Sequence, residues 1–269
     1  VPELLSSGGR LLNVEGVLAG ASFSMLSLAP ALWLRSDLGL TFNGANVVAW
    51  ADQSGNGRDF VQNTAGAQPP YSAAGGGRGL PSLSIGNTRF MQAVTAASDW
   101  KWLHTPNSHV FVVTSAPSFT SFSTHLATCD GGIGRVGNLY RRIADYQQFV
   151  NVRAAGAPYP MNATTTGSVY GSGWRVDEWL WTPGATTKLL TLSDGWLYRA
   201  DGVLAAAVDT ADPSFPAFLG REQPGVAVGV ENSYCEIIGF SRELTLAERR
   251  RVRAYIGARY GILIYDLGY

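Results

Sequence analysis

Apolar residues along most of this chain come in short alternating or continuous runs, a pattern that predicts strands. Ala31-Leu32-Trp33-Leu34-Arg35, Val47-Val48-Ala49-Trp50 and Phe60-Val61-Gln62 are such runs, and Pro81 to Ile85 alternates with Leu83 and Ile85 on one face. The clearest is His109-Val110-Phe111-Val112-Val113-Thr114, which is β-branched and aromatic, bounded by Asn107-Ser108 and Pro117. Its continuous apolar run predicts a central strand buried on both faces. Gln147 to Arg153, Glu178 to Trp181 and Tyr234 to Phe240 add further strands. Two hairpins follow from Asp-Gly steps, since glycine tolerates the positive φ of tight turns. One turns at Ser193-Asp194-Gly195, the other at Ala200-Asp201-Gly202 into Val203-Leu204-Ala205-Ala206.

The period changes only near the end of the chain. Thr245-Leu246-Ala247-Glu248 is a capping box, after which Val252, Tyr255, Ile256 and Tyr260 share one helical face and Gly261 takes the C′ position. Residues 1–27 show no sustained period, and so predict an N-terminal arm ordered only against something else. The expected fold is all-β: a two-sheet antiparallel jelly-roll sandwich over 28–269, with one C-terminal α-helix and the arm at 1–27.

Composition narrows the function classes. Lys+Arg and Asp+Glu both number 20 in 269 residues, so the formal net charge is zero, and only Lys101 and Lys188 are lysines. This balance argues against a nucleic-acid binder working through bulk charge. The apolar stretch from Val17 to Leu34 is broken by Gly20, Ser22, Ser24, Ser27 and Pro30. It falls short of the ~20 apolar residues of a membrane span and lacks the basic start of a signal peptide.

Candidate chemistry is sparse. Cys129 and Cys235 read as two small buried residues or, in an oxidising compartment, as one bridge. His104, His109 and His125 form no triad or zinc motif and read as structural. Asp52, Asn56 and Asp59 sit in the polar run Asp52-Gln53-Ser54-Gly55-Asn56-Gly57. Such a run suits a tight turn, with Ca²⁺ as the alternative occupant of its hard oxygens. Trp100 with Trp102, and Trp179 with Trp181, are i, i+2 pairs that on a strand share a face, either to pack in the core or to stack on sugar rings. Around Val252, the arginines of Arg249-Arg250-Arg251-Val252-Arg253 fan over a solvated helix face. In the arm, Leu4, Leu5, Leu11, Leu12, Val14, Val17 and Leu18 are too many aliphatic groups to leave in water, which points to an assembly contact with a neighbouring subunit.

Several stretches, in order, resemble the concanavalin A-like lectin/glucanase family in its laminin-G-like bacterial and phage branch. They are Leu28 to Asp37, Val48 to Phe60, Gln68-Pro69, Gly79-Leu80-Pro81, Trp102-Leu103-His104 before the strand at Val110, Asp201-Gly202, Glu236 to Leu244, and the helix ending Ala258-Arg259-Tyr260-Gly261. The resemblance implies a jelly roll of two packed sheets. It also implies either a structural or adhesive subunit of a phage particle, oligomeric in its assembly and attached by its arm, or a glycan-binding module of a secreted bacterial protein. The expected location is a virion or the extracellular space. Catalytic members of the family carry a Glu-x-Asp-x-Glu strand, because glycoside hydrolysis needs two carboxylates flanking the bond. This sequence has none: Asp177 and Glu178 are adjacent, and Glu231 and Glu236 are five apart. The expectation is therefore a non-enzyme without a cofactor.

Overall fold

The computed structural model describes residues 10–11, 23–86, 88–104, 107–115, 123–128, 138–142, 148–153, 160–164, 173–180, 187–193, 196–202, 211–223, 226–227 and 231–266. Two antiparallel sheets dominate. The larger has nine strands in the spatial order 160–164, 148–153, 138–142, 123–127, 218–219, 91–93, 60–61, 46–50, 40–43. The smaller has six: 175–180, 109–115, 232–240, 82–85 and 71–72 in order, with 32–35 also paired to 232–240. The expected all-β two-sheet sandwich with a C-terminal helix is what the chain forms. Among the described residues no helix is long and apolar enough to cross a membrane.

Strand alternation sorts side chains into two cores. Val110, Val112, Leu83, Ile85, Leu32 and Leu34 face the space between the sheets, with Trp50, Phe60 and Leu126. Phe111, Val113, Ile238, Phe240 and Trp33 face outward from the smaller sheet and meet the helix through Val252, Ile256 and Tyr260. His109–Ser115 lies between Arg175–Leu180 and Asn232–Phe240, buried from His109 through Thr114. Burial on both faces explains its lack of polar alternation.

Asn232–Phe240 is the hub of the smaller sheet, pairing with Leu32–Arg35, Ser82–Ile85 and His109–Ser115. Its register against His109–Ser115 shifts between Tyr234 and Glu236. Such a bulge re-aims side chains. Tyr234 joins the inter-sheet core, whereas both Cys235 and Glu236 turn toward the helix.

The helix Leu246–Tyr260 starts as its sequence signals. Thr245 Oγ1 accepts from the Glu248 N–H at 3.3 Å, the Glu248 carboxylate accepts from the Thr245 N–H at 2.8 Å, and Gly261 adopts φ +71°. Its arginines do not all fan into solvent, however: Arg249 and Arg253 are buried. The stripe that meets the sheet is wider than the Val252-centred face, because a buried carboxylate beneath the helix draws Arg253 in.

Three other expectations change. Phe23, Met25 and Leu28 pack into the outer core, so the body reaches back beyond residue 28. Asp201-Gly202 is strand rather than turn: Trp196–Gly202 pairs along its whole length with Thr187–Ser193, ending at Thr187 opposite Gly202. Residues 203–206 lie outside the described residues. Cys235 is a buried free thiol whose Sγ lies 3.3 Å from the Pro81 carbonyl, and burial pushes its pKa up to about 12. Cys129 lies outside the described residues.

Candidate functional site

Adjacent strand residues face opposite sides, and this separates Asp177 from Glu178. Glu178 points under the helix. It accepts from Arg253 Nε at 2.8 Å, Arg253 Nη2 at 3.1 Å and His109 Nε2 at 2.8 Å. Burial would raise its pKa, but the Arg253 charge and the His109 hydrogen bond outweigh that and hold it at about 2. Asp177 points between the sheets with Arg175, whose Nε lies 3.7 Å away, and His125, whose Nε2 lies 3.5 Å away. Burial and the nearby Arg175 charge hold the His125 pKa at about 3, so its approach to Asp177 is not an ion pair at neutral pH. His125 Nδ1 lies 2.9 Å from the Tyr234 hydroxyl.

Glu236 accepts from Trp33 Nε1 at 2.5 Å, Tyr260 Oη at 2.7 Å and Tyr255 Oη at 3.0 Å. Burial raises its pKa despite these donors. Asp177, Glu178 and Glu236 are all fully buried. They join sheet to sheet or sheet to helix. His104 is also structural: its Nε2–H donates to the Ala211 carbonyl at 2.9 Å.

The Asp52 loop is committed to the edge of Leu32–Arg35. Asp52 Oδ1 accepts from the Trp33 and Ser54 backbone N–H groups, both at 2.9 Å, and Oδ2 accepts from that of Arg58 at 3.1 Å. Asp59 accepts from the Asp52 N–H at 2.8 Å. Asn56 turns its amide nitrogen, not its oxygen, toward the Pro30 and Ala31 carbonyls at 3.0 and 3.2 Å. Both Asp52 oxygens and Asp59 Oδ1 are thus engaged by backbone donors, the arrangement of a tight turn. Among the described residues, no group of three or more His, Cys, Asp or Glu side chains could hold a metal ion.

Nor do Trp100, Trp102 and Trp179 offer open faces. Trp100 and Trp102 lie on the 3-10 helix Ala97–Leu103, not on a strand, and both are buried. Trp100 packs edge-on against Phe60 at 5.3 Å, and Trp102 lies against Gly239, where a Cβ would collide with its ring. Trp179 is fully buried between the sheets. Trp181 lies outside the described residues. So do the arm's Leu4, Leu5, Leu12, Val14, Val17 and Leu18. Leu11 is within them, and Arg10–Leu11 pairs with the chain's own Tyr265–Asp266.

An open cleft of about 380 Å³ lies on the outer face of the larger sheet, lined by Val61, Gln62, Asn63, Thr64, Phe90, Gln92 and Ala93. The register sets Val61, Gln92 and Phe218 side by side across three strands. Gln62 is structural: its amide nitrogen donates to the Phe90 carbonyl at 3.0 Å and its oxygen accepts from the Thr64 N–H at 2.9 Å. Asn63, Thr64 and Gln92 are exposed, and among the described residues nothing engages their side-chain donors and acceptors. Phe90 is half-buried, with the Arg221 guanidinium carbon 3.4 Å from its ring centroid. Among the described residues no carboxylate lines the cleft. Sequence reading missed this site because its strands are two or three residues long and its polar residues form no motif. The only local signal was the Phe90-Met91-Gln92-Ala93 alternation.

No protein-family model matches the sequence, and a search of curated proteins returns no match. Solved structures do. The binding domain of botulinum neurotoxin serotype G aligns with TM-score 0.56 and 12% identity, covering 85% of this chain and 51% of that one. The binding domain of Paraclostridial Mosquitocidal Protein 1 aligns with TM-score 0.56 and 10% identity, covering 85% and 52%. A Trypanosoma rangeli sialidase mutant displaying trans-sialidase activity aligns with TM-score 0.55 and 11% identity, covering 96% and 37%. The chain thus spans about half the length of the toxin binding domains it matches. At these identities the likeness is one of fold: this chain is similar to β-sandwich domains, two of them dedicated to binding.

Proposed function

We propose that this chain is a non-catalytic, carbohydrate-binding β-sandwich module whose ligand lies in the Phe90 cleft. The observation that carries this reading is the cleft's chemistry: one aromatic ring beside three neutral side chains with unspent hydrogen-bonding capacity. Sugar rings pair apolar C–H faces with hydroxyls that both donate and accept. Amide and hydroxyl side chains match the hydroxyls in both senses, and an aromatic side chain gives apolar surface to the C–H groups. Among the described residues the lining holds no carboxylate pair, which glycoside hydrolysis requires. The similar toxin structures are binding domains, which supports a binding role over a catalytic one.

A glycan array followed by calorimetry tests it. Wild-type protein is expected to bind one or more saccharides, and Phe90→Ala to weaken binding by about tenfold, the scale of one aromatic contact. Absence of binding to every saccharide, or unchanged affinity in both Phe90→Ala and Gln92→Ala, would refute the proposal.

The setting we propose is a phage particle or another extracellular surface, with the chain as an adhesive or structural subunit held by its arm. Support comes from Leu4, Leu5, Leu11, Leu12, Val14, Val17 and Leu18 in the arm and from the laminin-G-like sequence resemblance. Mass spectrometry of purified particles is expected to find the chain in stoichiometric amount. Recovery only as a free secreted protein would favour the secreted-module alternative.

A further inference from the structure

We propose that Arg221 makes the Phe90 cleft selective for acidic sugars, saccharides that carry a carboxylate or sulfate group. The proposal rests on the saccharide reading of the cleft. Four observations carry it.

Arg221 adjoins the cleft through Phe90: its guanidinium stacks on that ring, which is one of the lining residues. Among the described residues the guanidinium has no anionic partner: its Nε is buried without a hydrogen bond and no ion pair forms to it, whereas nearby Arg89 pairs with Glu231 at 3.2 Å. Burial alone lowers its pKa, with no opposing charge acting on it. Finally, its position is built into the backbone. Gly220, between Leu219 and Arg221, adopts φ +76°, and a Cβ there would strike Ile85 Cγ2 and stand 3.0 Å from the Arg89 carbonyl. Only glycine fits this close approach at positive φ. The kink ends the Phe218–Leu219 ladder against Met91–Gln92 and turns the next residue onto Phe90.

A partly desolvated, unpaired guanidinium costs free energy unless something meets it. Stacking on an aromatic face returns part of that cost and leaves the in-plane N–H fork open. The fork matches the two oxygens of a carboxylate or sulfate. The remaining polar groups of the cleft are neutral, so they would read hydroxyls while Arg221 reads the charge.

Matched oligosaccharide pairs form the test: an oligogalacturonide against its carboxyl-reduced form, and a sulfated galactan fragment against its desulfated form. Full-length protein titrated with each is expected to bind the acidic member of at least one pair about tenfold or more tightly, the weight of a charge-assisted hydrogen bond. The pair that shows the preference tells carboxylate from sulfate. Arg221→Gln, shown by thermal melting to be folded, is expected to abolish the preference while keeping the weaker affinity for the neutral member. Arg221→Lys should retain part of it, having the charge without the planar fork. Equal affinity within every pair would overturn the acidic-sugar inference and leave the saccharide reading standing. A preference that survives Arg221→Gln would overturn the assignment to Arg221. Failure to bind any saccharide, on the array or in these pairs, would remove both readings.

Discussion

Arg253→Met is expected to destabilise the fold by about 3–5 kcal/mol at pH 7, because it leaves the Glu178 carboxylate buried beneath the helix without its main counter-charge. Arg253 supplies two of the three hydrogen bonds to that carboxylate, and both partners are out of contact with water. His109 cannot take over as a cation, because burial depresses its pKa despite Glu178 beside it. Urea titration gives the free energy, and the melting temperature should fall on the order of 10 °C for a domain of this size. The double variant Arg253→Met with Glu178→Leu should recover most of the loss, since an apolar replacement of a buried pair is often near neutral. A single variant as stable as wild type would mean that water reaches Glu178 and that the helix is not held down there.

Acid is expected to unfold the protein in two stages. The His125 pKa lies at about 3 in the folded chain against an ordinary 6.5, and that of His109 is also lowered. Below pH 6.5 the unfolded chain therefore binds protons that the folded chain refuses, and stability falls as pH falls. For His125 the full effect, reached at pH 3 and below, is on the order of 5 kcal/mol. Glu178 adds a second loss between pH 4.5 and about 2, as its stabilising ionised form is titrated. Glu236 acts in the opposite sense: its folded pKa is raised, so its contribution is present in acid and lost as pH rises through that value. Melting temperatures from pH 8 to 3 should decline first below pH 6.5 and more steeply below 4.5. In His125→Gln the upper part of the decline should flatten. A wild-type profile level from pH 8 to 4 would contradict the buried neutral state of His125.

Local signals in the sequence were strong where chemistry acts over a few residues. The β-branched run at His109–Ser115 and the Thr245, Glu248 and Gly261 punctuation of the helix predict elements that form as read. Signals failed where distant partners decide. Arg253 reads as solvated until a strand 75 positions away places Glu178 beneath it. Trp100 and Trp102 read as a strand pair because i, i+2 spacing says nothing about a 3-10 turn, in which the two rings lie 6.4 Å apart and both face inward. Asp201-Gly202 reads as a turn because the dipeptide tolerates one, whereas pairing with Thr187-Lys188 extends the ladder through it. The cleft was invisible for the same reason: Asn63, Phe90, Gln92 and Arg221 come together only when short strands are ordered side by side.

The hub strand Asn232–Phe240 sets a timetable for the chain as it leaves the ribosome. Leu32–Arg35, Ser82–Ile85 and His109–Ser115 are made early, yet each takes a partner from this strand, with Leu32 opposite Gly239 more than 200 positions later. Until residue 240 emerges, the smaller sheet lacks its middle, and the apolar strand at 109–115 has an unpaired edge. Closing such distant pairings is slow, because loop entropy is lost before contacts repay it. Nascent chains stalled before residue 232 therefore carry exposed strand edges that invite aggregation, and chaperone demand should peak just before the last strand and helix complete the sandwich.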